Sequence, residues 1–247
     1  MANTGQLEGK LAIITGGGSG IGRALSLGLA QEGATVAVAD IRLPAAQETA
    51  TEIREQGGNA VTIEVDVARS ESVDAMVRLA LETSGHIDIL VNCAGVYPRH
   101  SVVEMSEAEW RQVLDVNLTG TFLCCKAVAD PMVAQGSGKI VNLVSGRGVT
   151  GAMNGAHYAA SKGGLIAFTV SLGMELGPYG INVNAVAPGS TDTPMFRGGE
   201  SQPRQDTADT PVNKRLGQPQ DLIGPVLFLV GEASRAMYGQ VLFMKTP

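Results

Sequence analysis

The sequence has few cysteines, few aromatic residues and no long apolar run. Its 247 residues include three cysteines, one tryptophan and 4% aromatic residues in total. Three is an odd number, and Cys124 and Cys125 are adjacent, so the pattern indicates buried thiols in a reducing cytoplasm rather than a disulfide framework. The polar start, residues 1–9, has no apolar signal core, and no run approaches the roughly 18 apolar residues that span a bilayer. We therefore expect a cytoplasmic protein with no membrane segment.

The charge balance excludes one class of partner. The net charge is −6 at pH 7 and the sequence pI is about 5.1, so nucleic acid is not an expected partner. Charged residues make up 17% of the chain and hydrophobic residues 44%, which is typical of a folded chain with a sizeable core. No metal site is predicted, and the expected partner is a small molecule.

Short apolar runs alternate with helical patterns along most of the chain. Because these runs are almost wholly apolar, they are typical of strands covered on both faces. The predicted strands are 10–15, 35–40, 60–65, 87–92, 139–144, 182–187 and 240–244. Repeated strand–helix–strand spacing implies right-handed crossovers and one parallel sheet. We predict an α/β fold with seven parallel strands, forming one domain over residues 1–247.

Helix signals occupy most of the remaining chain, and one long segment lacks them. Helical patterns run over 20–31 and 44–56, and each is followed by glycine. Ser106 and Glu109 form a capping box for a further long helix. Residues 189–218 are rich in Gly, Pro, Thr, Asp and Arg and have no sustained period. So long an irregular segment is a functional lid or a disordered loop, and we favour a lid over the site.

A glycine-rich loop directly follows the first predicted strand. Gly16, Gly20 and Gly22 form the pattern Gly-x-x-x-Gly-x-Gly where a strand would meet a helix. Glycines there allow a tight turn and let backbone amides approach a pyrophosphate at the helix N-terminus. The alternative is a plain turn, but the position between strand and helix favours a dinucleotide site.

An acidic residue lies where a dinucleotide site needs one. Asp40 ends the second predicted strand, about 20 residues after the glycine loop. A carboxylate there accepts hydrogen bonds from the adenosine ribose hydroxyls and repels a 2′-phosphate. Arg42 would soften this repulsion, yet the glycine loop itself contains no basic residue. NAD (NADH) is therefore favoured over NADP as cofactor. The alternative interpretation of Asp40 is that it only turns the chain at the end of the strand.

Tyr158 and Lys162 are four residues apart and share one face of a helix, if a helix runs through them. A phenol has a free pKa of about 10, and an ammonium beside it lowers that pKa. A drop of roughly three units needs about 4 kcal/mol of differential interaction. One lysine alone does not supply this, so we expect a second positive charge nearby.

Together these motifs resemble the short-chain dehydrogenase/reductase family over nearly the whole chain. The run Asn92-Cys93-Ala94-Gly95 is similar to the family's stretch after strand four, and Pro188-Gly189 followed by Thr193 is similar to its nicotinamide-side motif. The positions that match its catalytic tetrad are Asn117, Ser145, Tyr158 and Lys162. The resemblance implies a three-layer Rossmann-type fold with a seven-stranded parallel sheet. It also implies a homotetramer whose interfaces use the helices bearing Asn117 and Tyr158 and the C-terminal strand.

The resemblance implies a role for each member of the tetrad. Tyr158 would be the general acid/base that exchanges a proton with the substrate oxygen during hydride transfer. Lys162 would bind the nicotinamide ribose and lower the Tyr158 pKa, with oxidised nicotinamide as the second positive charge. Ser145 would polarise the substrate oxygen. Asn117 would keep a water-linked proton path to Lys162, and Thr193 would anchor the carboxamide.

The same resemblance assigns both halves of the predicted site. The implied cofactor-binding residues are Gly16, Ser19, Gly20, Ile21, Gly22, Asp40, Ile41, Asp66, Val67, Asn92, Ala94, Gly95, Tyr158, Lys162, Pro188, Gly189, Thr191 and Thr193. The implied substrate-binding residues are Val96, Tyr97, Ser145, Arg147, Asn154, Tyr158, Met195 and Phe196. Most of the pocket is apolar, which suits a mid-sized or bulky secondary alcohol or ketone. For Arg147 a solvent-facing or subunit-facing role is preferred to binding of a substrate anion.

Some positions depart from the family pattern. Cys93 replaces a common Asn, and a reactive-thiol role is not expected without a base nearby. Thr191 stands at a position that is frequently Ile. The C-terminal run lacks the Asp-Gly-Gly commonly found after the last strand, in a tail that often contributes to subunit contacts. His157, beside Tyr158, is interpreted as structural because successive helix positions face different ways.

The sequence leads to three functional hypotheses. The first is an NAD-dependent oxidoreductase that interconverts a secondary alcohol and a ketone. The second is a 3-oxoacyl-thioester reductase of the acyl carrier protein type, a subgroup that usually favours NADPH and has basic residues near the glycine loop. The third is a nucleotide-sensing or scaffolding protein. It is disfavoured because no member of the tetrad is missing.

Overall fold

Seven parallel strands form one sheet in the computed structural model, which describes residues 5–198 and 216–244. The strands are β1 (Leu11–Thr15), β2 (Thr35–Asp40), β3 (Asn59–Glu64), β4 (Ile89–Asn92), β5 (Gly138–Leu143), β6 (Ile181–Ala187) and β7 (Val241–Phe243). Their order across the sheet is β3-β2-β1-β4-β5-β6-β7. The predicted seven-stranded parallel sheet is confirmed, and each strand lies within one or two residues of its predicted bounds.

The strand order reverses between β1 and β4. Thr15 of β1 pairs with Ala39 of β2 on one side and with Asn92 of β4 on the other. In a doubly wound sheet, ligands bind in the crevice at the carboxyl end of such a reversal. The loops after β1, β2 and β4 meet there, and they carry most of the predicted cofactor residues.

The helices lie in the connections between strands. Within the described ranges they are α1 (Gly20–Gln31), α2 (Leu43–Glu55), α3 (Ser70–Ser84), α4 (Glu107–Leu114), α5 (Gly120–Gln135), α6 (Arg147–Thr150), α7 (Ala156–Leu176), α8 (Pro194–Arg197) and α9 (Ile223–Val230). A π-helical turn, Asp115–Thr119, joins α4 to α5. None of the helices in these ranges has the length and apolar character needed to cross a membrane.

Two helical layers cover the sheet, one on each face. Helices α1, α2 and α9 pack with strand residues such as Ile14, whereas α3, α5 and α7 pack with strand residues such as Ile13. Successive residues of a strand point to opposite faces, so both isoleucines are fully buried. This is the predicted three-layer, single-domain Rossmann-type fold, and it explains why the strand sequences are apolar without alternation.

Helix α4 begins at the predicted capping box. Ser106 Oγ accepts from the Glu109 N–H at 3.2 Å, and the Glu109 carboxylate accepts from the Ser106 N–H at 2.9 Å. The helix does not continue in regular form, because the π-helical turn interrupts it before α5. Such turns are frequent at functional sites. Asn117 of the predicted tetrad lies in this turn.

The two ends of the predicted lid, residues 189–218, lie side by side. Thr191 and Gly217 form a parallel bridge, and the Asp192 N–H donates to the Gly217 carbonyl at 2.8 Å. Helix α8 follows directly, with Thr193 as its N-cap. Residues 199–215 of the lid lie outside the described residues, so the lid and the domain span of 1–247 stay predictions.

Candidate active site

The glycine loop lies at the carboxyl end of β1, against the loop that follows β4. Gly16 has a φ of +67°, and a methyl group there would lie 2.9 Å from the Ala94 backbone. Gly20 has a φ of +53°, and a methyl group there would lie 3.4 Å from the Thr193 side chain. Side chains other than glycine are strained at such positive φ values. The loop therefore presents bare backbone at the N-terminus of α1.

Asp40 connects the end of β2 to this loop. Its buried carboxylate accepts from the Gly18 N–H and from the Arg42 N–H, both at 2.9 Å. The Arg42 guanidinium in turn donates to Ser19 Oγ at 3.0 Å. The remaining residues predicted for the adenosine side, at the ends of β2 and β3, are Ile41, Asp66 and Val67.

This rim of the crevice fits an adenine dinucleotide. The bare amides at the start of α1 form the usual setting for a pyrophosphate. The Asp40 carboxylate keeps further lone pairs for ribose hydroxyls after accepting its two backbone N–H groups. A side chain at Gly18 would fill this space, since a methyl group there would lie 2.9 Å from Asp40 Oδ2.

Two polar side chains fix the loop after β4. Thr15 Oγ1 accepts from the N–H groups of Cys93 and Ala94 at 3.1 and 3.2 Å. Asn117 Oδ1 accepts from the Val96 N–H at 2.8 Å, and Asn117 Nδ2 donates to the Val96 carbonyl at 3.0 Å. Asn117 is fully buried in the π-helical turn. It therefore couples that turn to the loop, a role that sequence reasoning did not assign to it.

Helix α7 brings Lys162 into the same crevice. Lys162 Nζ is buried and donates to the Leu143 carbonyl at the end of β5, at 2.7 Å. Asn117 Nδ2 also donates to Ser161 Oγ at 3.1 Å, one residue before Lys162. A methyl group at Gly95 would lie 3.2 Å from Asn117 Oδ1 and 3.9 Å from Lys162 Nζ. Gly95 therefore keeps both polar groups accessible from the loop after β4.

Tyr158 lies one helical turn before Lys162 and contacts side chains from two other segments. Ser145 lies beside its hydroxyl and acts to lower its pKa, and the Tyr97 ring stacks on its ring with centroids 4.0 Å apart and 18° between the planes. Lys162 Nζ lies 5.8 Å from the Tyr158 ring centroid. The structure thus brings the four predicted tetrad residues together at the carboxyl ends of β4 and β5.

Burial shifts the pKa values of Tyr158 and Lys162 in the direction that disfavours the charged form of each. Burial raises the pKa of Tyr158 to about 12, and the nearby Ser145 hydroxyl and the Arg147 charge oppose this rise only in part. Burial lowers the pKa of Lys162 to about 8. The sequence argument expected a lowered Tyr158 pKa; the net shift is upward because desolvation of the phenol outweighs the charges and polar groups that oppose it. The need for a second positive charge therefore stands.

A close backbone contact holds α6 against α7. A methyl group at Gly148 would lie 2.6 Å from the Gly163 nitrogen, so the two helices touch there. Ser145 lies just before α6, and its Oγ accepts from the Arg147 N–H at 3.2 Å. The contact therefore sets the position of Ser145 relative to the helix that carries Tyr158.

The nicotinamide-side motif follows β6. Pro188 and Gly189 come directly after this strand, and Thr191 Oγ1 donates to the Gly189 carbonyl at 3.0 Å. Thr193 Oγ1 caps α8, and its side chain faces Gly20 of the glycine loop. The motif therefore lies across the crevice from the predicted pyrophosphate position.

The predicted substrate residues divide into two groups. Val96 and Tyr97 lie in the loop after β4, and Arg147 begins α6, so these three are close to Tyr158. The others lie on separate segments and make no hydrogen bond or ring contact with Tyr158 within the described part of the chain: Asn154, Met195 and Phe196. Their assignment to the pocket stays a prediction.

Sequence reasoning missed a row of buried polar side chains that joins β4, β5 and α7. Asn92 Nδ2 donates to Asn142 Oδ1 at 2.9 Å, and Asn142 Nδ2 donates to Thr169 Oγ1 at 3.0 Å. Asn142 is a polar residue within the mostly apolar sequence of β5, and this could have indicated a buried hydrogen-bonded side chain. Asn92 was assigned to the cofactor, but its amide nitrogen is engaged inside the fold. Its Oδ1 has no hydrogen-bond partner among the described residues.

His157 and Cys93 are not reactive groups in this geometry. His157 is fully buried, its Nδ1 accepts from the Tyr158 N–H at 2.9 Å, and burial lowers its pKa. This supports the structural interpretation of His157. Burial raises the pKa of Cys93 to about 12, so Cys93 is a neutral thiol near pH 7.

The fold and this constellation define a class of oxidoreductase, and comparison with known proteins gives the same class. The family model for short chain dehydrogenase matches residues 10–204. The chain belongs to this family, as its motifs predicted. It is accordingly an oxidoreductase that acts on CH–OH or keto groups with a nicotinamide cofactor.

Relatives cover almost the whole chain. It is 36% identical over 238 residues to the (2S)-[(R)-hydroxy(phenyl)methyl]succinyl-CoA dehydrogenase subunit BbsD of Thauera aromatica, covering 96% of each protein. It is 37% identical over 231 residues to the 3-oxoacyl-[acyl-carrier-protein] reductase of Synechocystis sp., covering 93% of this chain and 92% of that protein. The crystal structure of gox2181 superposes with a TM-score of 0.92 at 34% identity, covering 96% of this chain and 95% of that one.

Proposed function

We propose that this chain is an NAD(H)-dependent dehydrogenase/reductase that interconverts a secondary alcohol and a ketone. The observation that carries the proposal is the placement of Ser145 beside Tyr158, with the buried Lys162 on the same side of the crevice. A phenol and a hydroxyl so placed can hold one substrate oxygen and exchange one proton with it. The third hypothesis, a protein that senses nucleotides without catalysis, has no such observation in its favour.

In this proposal Ser145 and Tyr158 act on the substrate oxygen, whereas Lys162 and Asn117 act through neighbouring groups of the protein. The nicotinamide, when bound, supplies the hydride acceptor or donor and, in its oxidised form, a positive charge. Ser145 donates a hydrogen bond to the substrate oxygen, while Tyr158 takes the alcohol proton in oxidation and returns it in reduction. Lys162 is still mostly protonated at neutral pH with a pKa of about 8, so its charge favours the phenolate. Asn117 keeps the loop after β4 against α7.

We favour NAD over NADP because Asp40 presents a buried carboxylate at the predicted ribose position. A 2′-phosphate next to this carboxylate would be repelled. Arg42, bonded to Ser19 at the same rim, offsets part of the repulsion. Turnover with NADH and with NADPH tests the preference, and a strong preference for NADPH would overturn it.

The alternative function is a 3-oxoacyl-thioester reductase. Two observations favour it: Arg42 supplies a cation near the predicted ribose, and a 3-oxoacyl-[acyl-carrier-protein] reductase is among the relatives. Reduction of a 3-oxoacyl thioester at least tenfold faster than that of simple ketones, with NADPH preferred, would establish this alternative.

The wider setting is part of the proposal. We propose a homotetramer in a reducing cytoplasm, with residues 189–218 as a lid over a single domain of residues 1–247. Exposed apolar side chains on α4, α5 and α7 support the tetramer. All three cysteines are free thiols, two of them buried, which suits a reducing compartment.

The decisive experiment is a spectrophotometric screen. Secondary alcohols are tested with NAD and ketones with NADH, and each set is repeated with the phosphorylated cofactors. We expect turnover of at least one alcohol/ketone pair with the unphosphorylated cofactor. A protein that binds NADH yet reduces no member of a broad ketone panel would contradict the proposed function.

A further inference from the structure

Charged and aromatic groups form a column at the predicted active site. The Tyr97 and Tyr158 rings stack with centroids 4.0 Å apart. The Arg99 guanidinium carbon lies 5.2 Å from the Tyr97 centroid, and it must occupy the outer face because Tyr158 covers the other. Lys162 Nζ lies 5.8 Å from the Tyr158 centroid. A cation thus accompanies each of the two stacked phenols.

Packing around Tyr97 fixes where this column stands. A methyl group at Gly155, just before α7, would lie 2.7 Å from the Tyr97 hydroxyl oxygen. The residue before Tyr97, Val96, is held by both of its backbone polar groups to Asn117. The ring on which Arg99 rests is therefore positioned by α7 and by the π-helical turn together. These contacts therefore fix the Tyr97 ring, and with it the face on which Arg99 rests, relative to Tyr158.

Arg99 carries a positive charge that no carboxylate balances within the described ranges. Two other basic side chains lie against carboxylates: His100 Nδ1 is 2.7 Å from Glu109, and Arg197 pairs with Asp192 at 2.6 Å. The whole chain is acidic, with a net charge of −6. A half-buried guanidinium on the ring that stacks against Tyr158 therefore stands out from the rest of the surface. Guanidinium groups bind carboxylate and phosphate through paired N–H donors.

We propose that Arg99 binds an anionic group of the substrate, a carboxylate or a phosphate, while Tyr158 and Ser145 hold the reacting oxygen. The inference rests on the proposed alcohol/ketone chemistry and narrows its substrates to anionic ones. The Arg99 guanidinium lies no farther from the Tyr158 ring centroid than the sum of the 4.0 and 5.2 Å spacings. Such a span corresponds to an acid group about three to five bonds from the reacting carbon. Arg147, whose charge also acts on Tyr158, adds to the same positive field.

Matched substrate pairs test this inference. 4-Oxopentanoate, 5-oxohexanoate and 6-oxoheptanoate are each compared with their methyl esters, which place the same ketone next to a neutral end. 4-Oxopentyl phosphate is compared with 5-hydroxypentan-2-one, because only the first carries a phosphate, at about the same bond distance from the ketone as the carboxylates. The proteins are the wild type, Arg99→Gln, Arg99→Lys and Arg78→Gln. Arg78 is an exposed arginine on α3 and controls for loss of one positive charge.

We expect the wild type to prefer the anionic member of one series. In Arg99→Gln the ratio of kcat/KM values, anionic over neutral, should fall about 10- to 100-fold, as for loss of a hydrogen bond to a charged group. Arg99→Lys should keep much of the preference, and Arg78→Gln should keep all of it. A fall confined to the oxo acids identifies a carboxylate, and a fall confined to the phosphate ester pair identifies a phosphate. Equal use of both members by the wild type, or a preference that survives in Arg99→Gln, would overturn the inference.

A binding measurement tests the anion site at Arg99 independently of the proposed alcohol/ketone chemistry. If no pair is turned over with any nicotinamide cofactor, the proposed function fails and the anion site is tested alone. NAD-loaded protein is then titrated calorimetrically with hexanoate and with hexanamide. Binding of hexanoate that is absent for hexanamide, lost in Arg99→Gln and kept in Arg78→Gln supports the site. Absence of hexanoate binding to the wild type overturns it.

Discussion

Tyr158 is the side chain on which the proposed chemistry depends most directly. Its ring packs on Tyr97 and its hydroxyl meets Ser145, so Tyr158→Phe removes the proton-exchanging group and keeps the packing surface. We expect kcat to fall by about 10²- to 10⁴-fold, the range for loss of a general acid/base. NADH affinity, followed by fluorescence titration, should change little. The exposed Tyr179→Phe is the control, and full turnover by Tyr158→Phe would contradict the mechanism.

Lys162 combines function with a cost in stability, because its ammonium is buried. Its pKa is lowered from 10.5 to about 8 by burial, so at neutral pH its charge is less favourable in the folded chain than in the unfolded chain. Lys162→Met removes this charge together with one hydrogen bond to the Leu143 carbonyl. We expect the variant to be inactive and, at pH 7, more stable than the wild type by about 1–2 kcal/mol.

The pH dependence of that difference follows from the direction of the shift. Between pH 8 and pH 10.5 the unfolded wild type holds the Lys162 proton and the folded wild type does not, so wild-type stability gains from rising pH there. Lys162→Met lacks this gain, so its advantage should shrink across the window. Urea denaturation at pH 7 and pH 10 measures the difference in unfolding free energy between Lys162→Met and the wild type, with the exposed Lys126→Met as control. An advantage that stayed constant with pH would contradict the explanation.

At the residue scale, the sequence predicts side chains whose relation is local and misses those joined only by the fold. Tyr158 and Lys162 share a helix face, so their pairing is visible in their spacing. The stacking of Tyr97 on Tyr158 joins segments separated by many residues, and no sequence period encodes it. The same holds for the direction of the Tyr158 pKa, because desolvation depends on everything packed around the phenol. The position of Arg99 beside the site was not predicted from the sequence, because it depends on the placement of the Tyr97 ring.

At the element scale, the contact between α6 and α7 decides where Ser145 lies. A methyl group at Gly148 would lie 2.6 Å from the Gly163 nitrogen, which is backbone and cannot rotate away. Gly148→Ala should therefore push α6 off α7 and displace Ser145 from Tyr158. We expect kcat to fall about 10- to 100-fold, since small misplacements of a catalytic group are costly. Steady-state kinetics measure this effect.

A neighbouring glycine provides the matched control. Gly146 has a φ of −55°, and a methyl group there would meet nothing within 4 Å. Gly146→Ala should therefore keep nearly wild-type kcat, and both variants should bind NADH normally because the glycine loop is unchanged. Equal losses in the two variants would show that flexibility of this loop matters rather than the helix contact.

The sequence predicts elements well where local signals and burial agree. The strands are continuous apolar runs because both faces are covered, and the capping box marks the start of α4. The π-helical turn after α4 has no comparable signal, since it depends on Asn117 bonding to Val96 and to Ser161. The turn and the site geometry are therefore set by tertiary contacts.

At the scale of the whole molecule, large apolar side chains are exposed on the helices that the family resemblance assigns to subunit contacts. They include Trp110 on α4, Phe122 on α5 and Met174 on α7. Phe228 on α9 is also exposed, as is Phe243 on β7, the strand at the opposite end of the sheet from β3. Apolar surfaces of this kind are typical of interfaces between identical subunits. This distribution supports the proposed homotetramer.

Met174 gives the sharpest test of that assembly, because it is 73% exposed and its replacement leaves the packed side of α7 intact. We expect light scattering after gel filtration to give four times the 25.5 kDa chain mass for the wild type. Met174→Asp should give a smaller species, since burying an unpaired carboxylate at an interface is unfavourable. Leu79→Asp on α3, at a residue that is 46% exposed, is the matched control and should keep the wild-type mass. A monomeric wild type would exclude the tetramer, whereas an unchanged mass for Met174→Asp would place the interface away from α7.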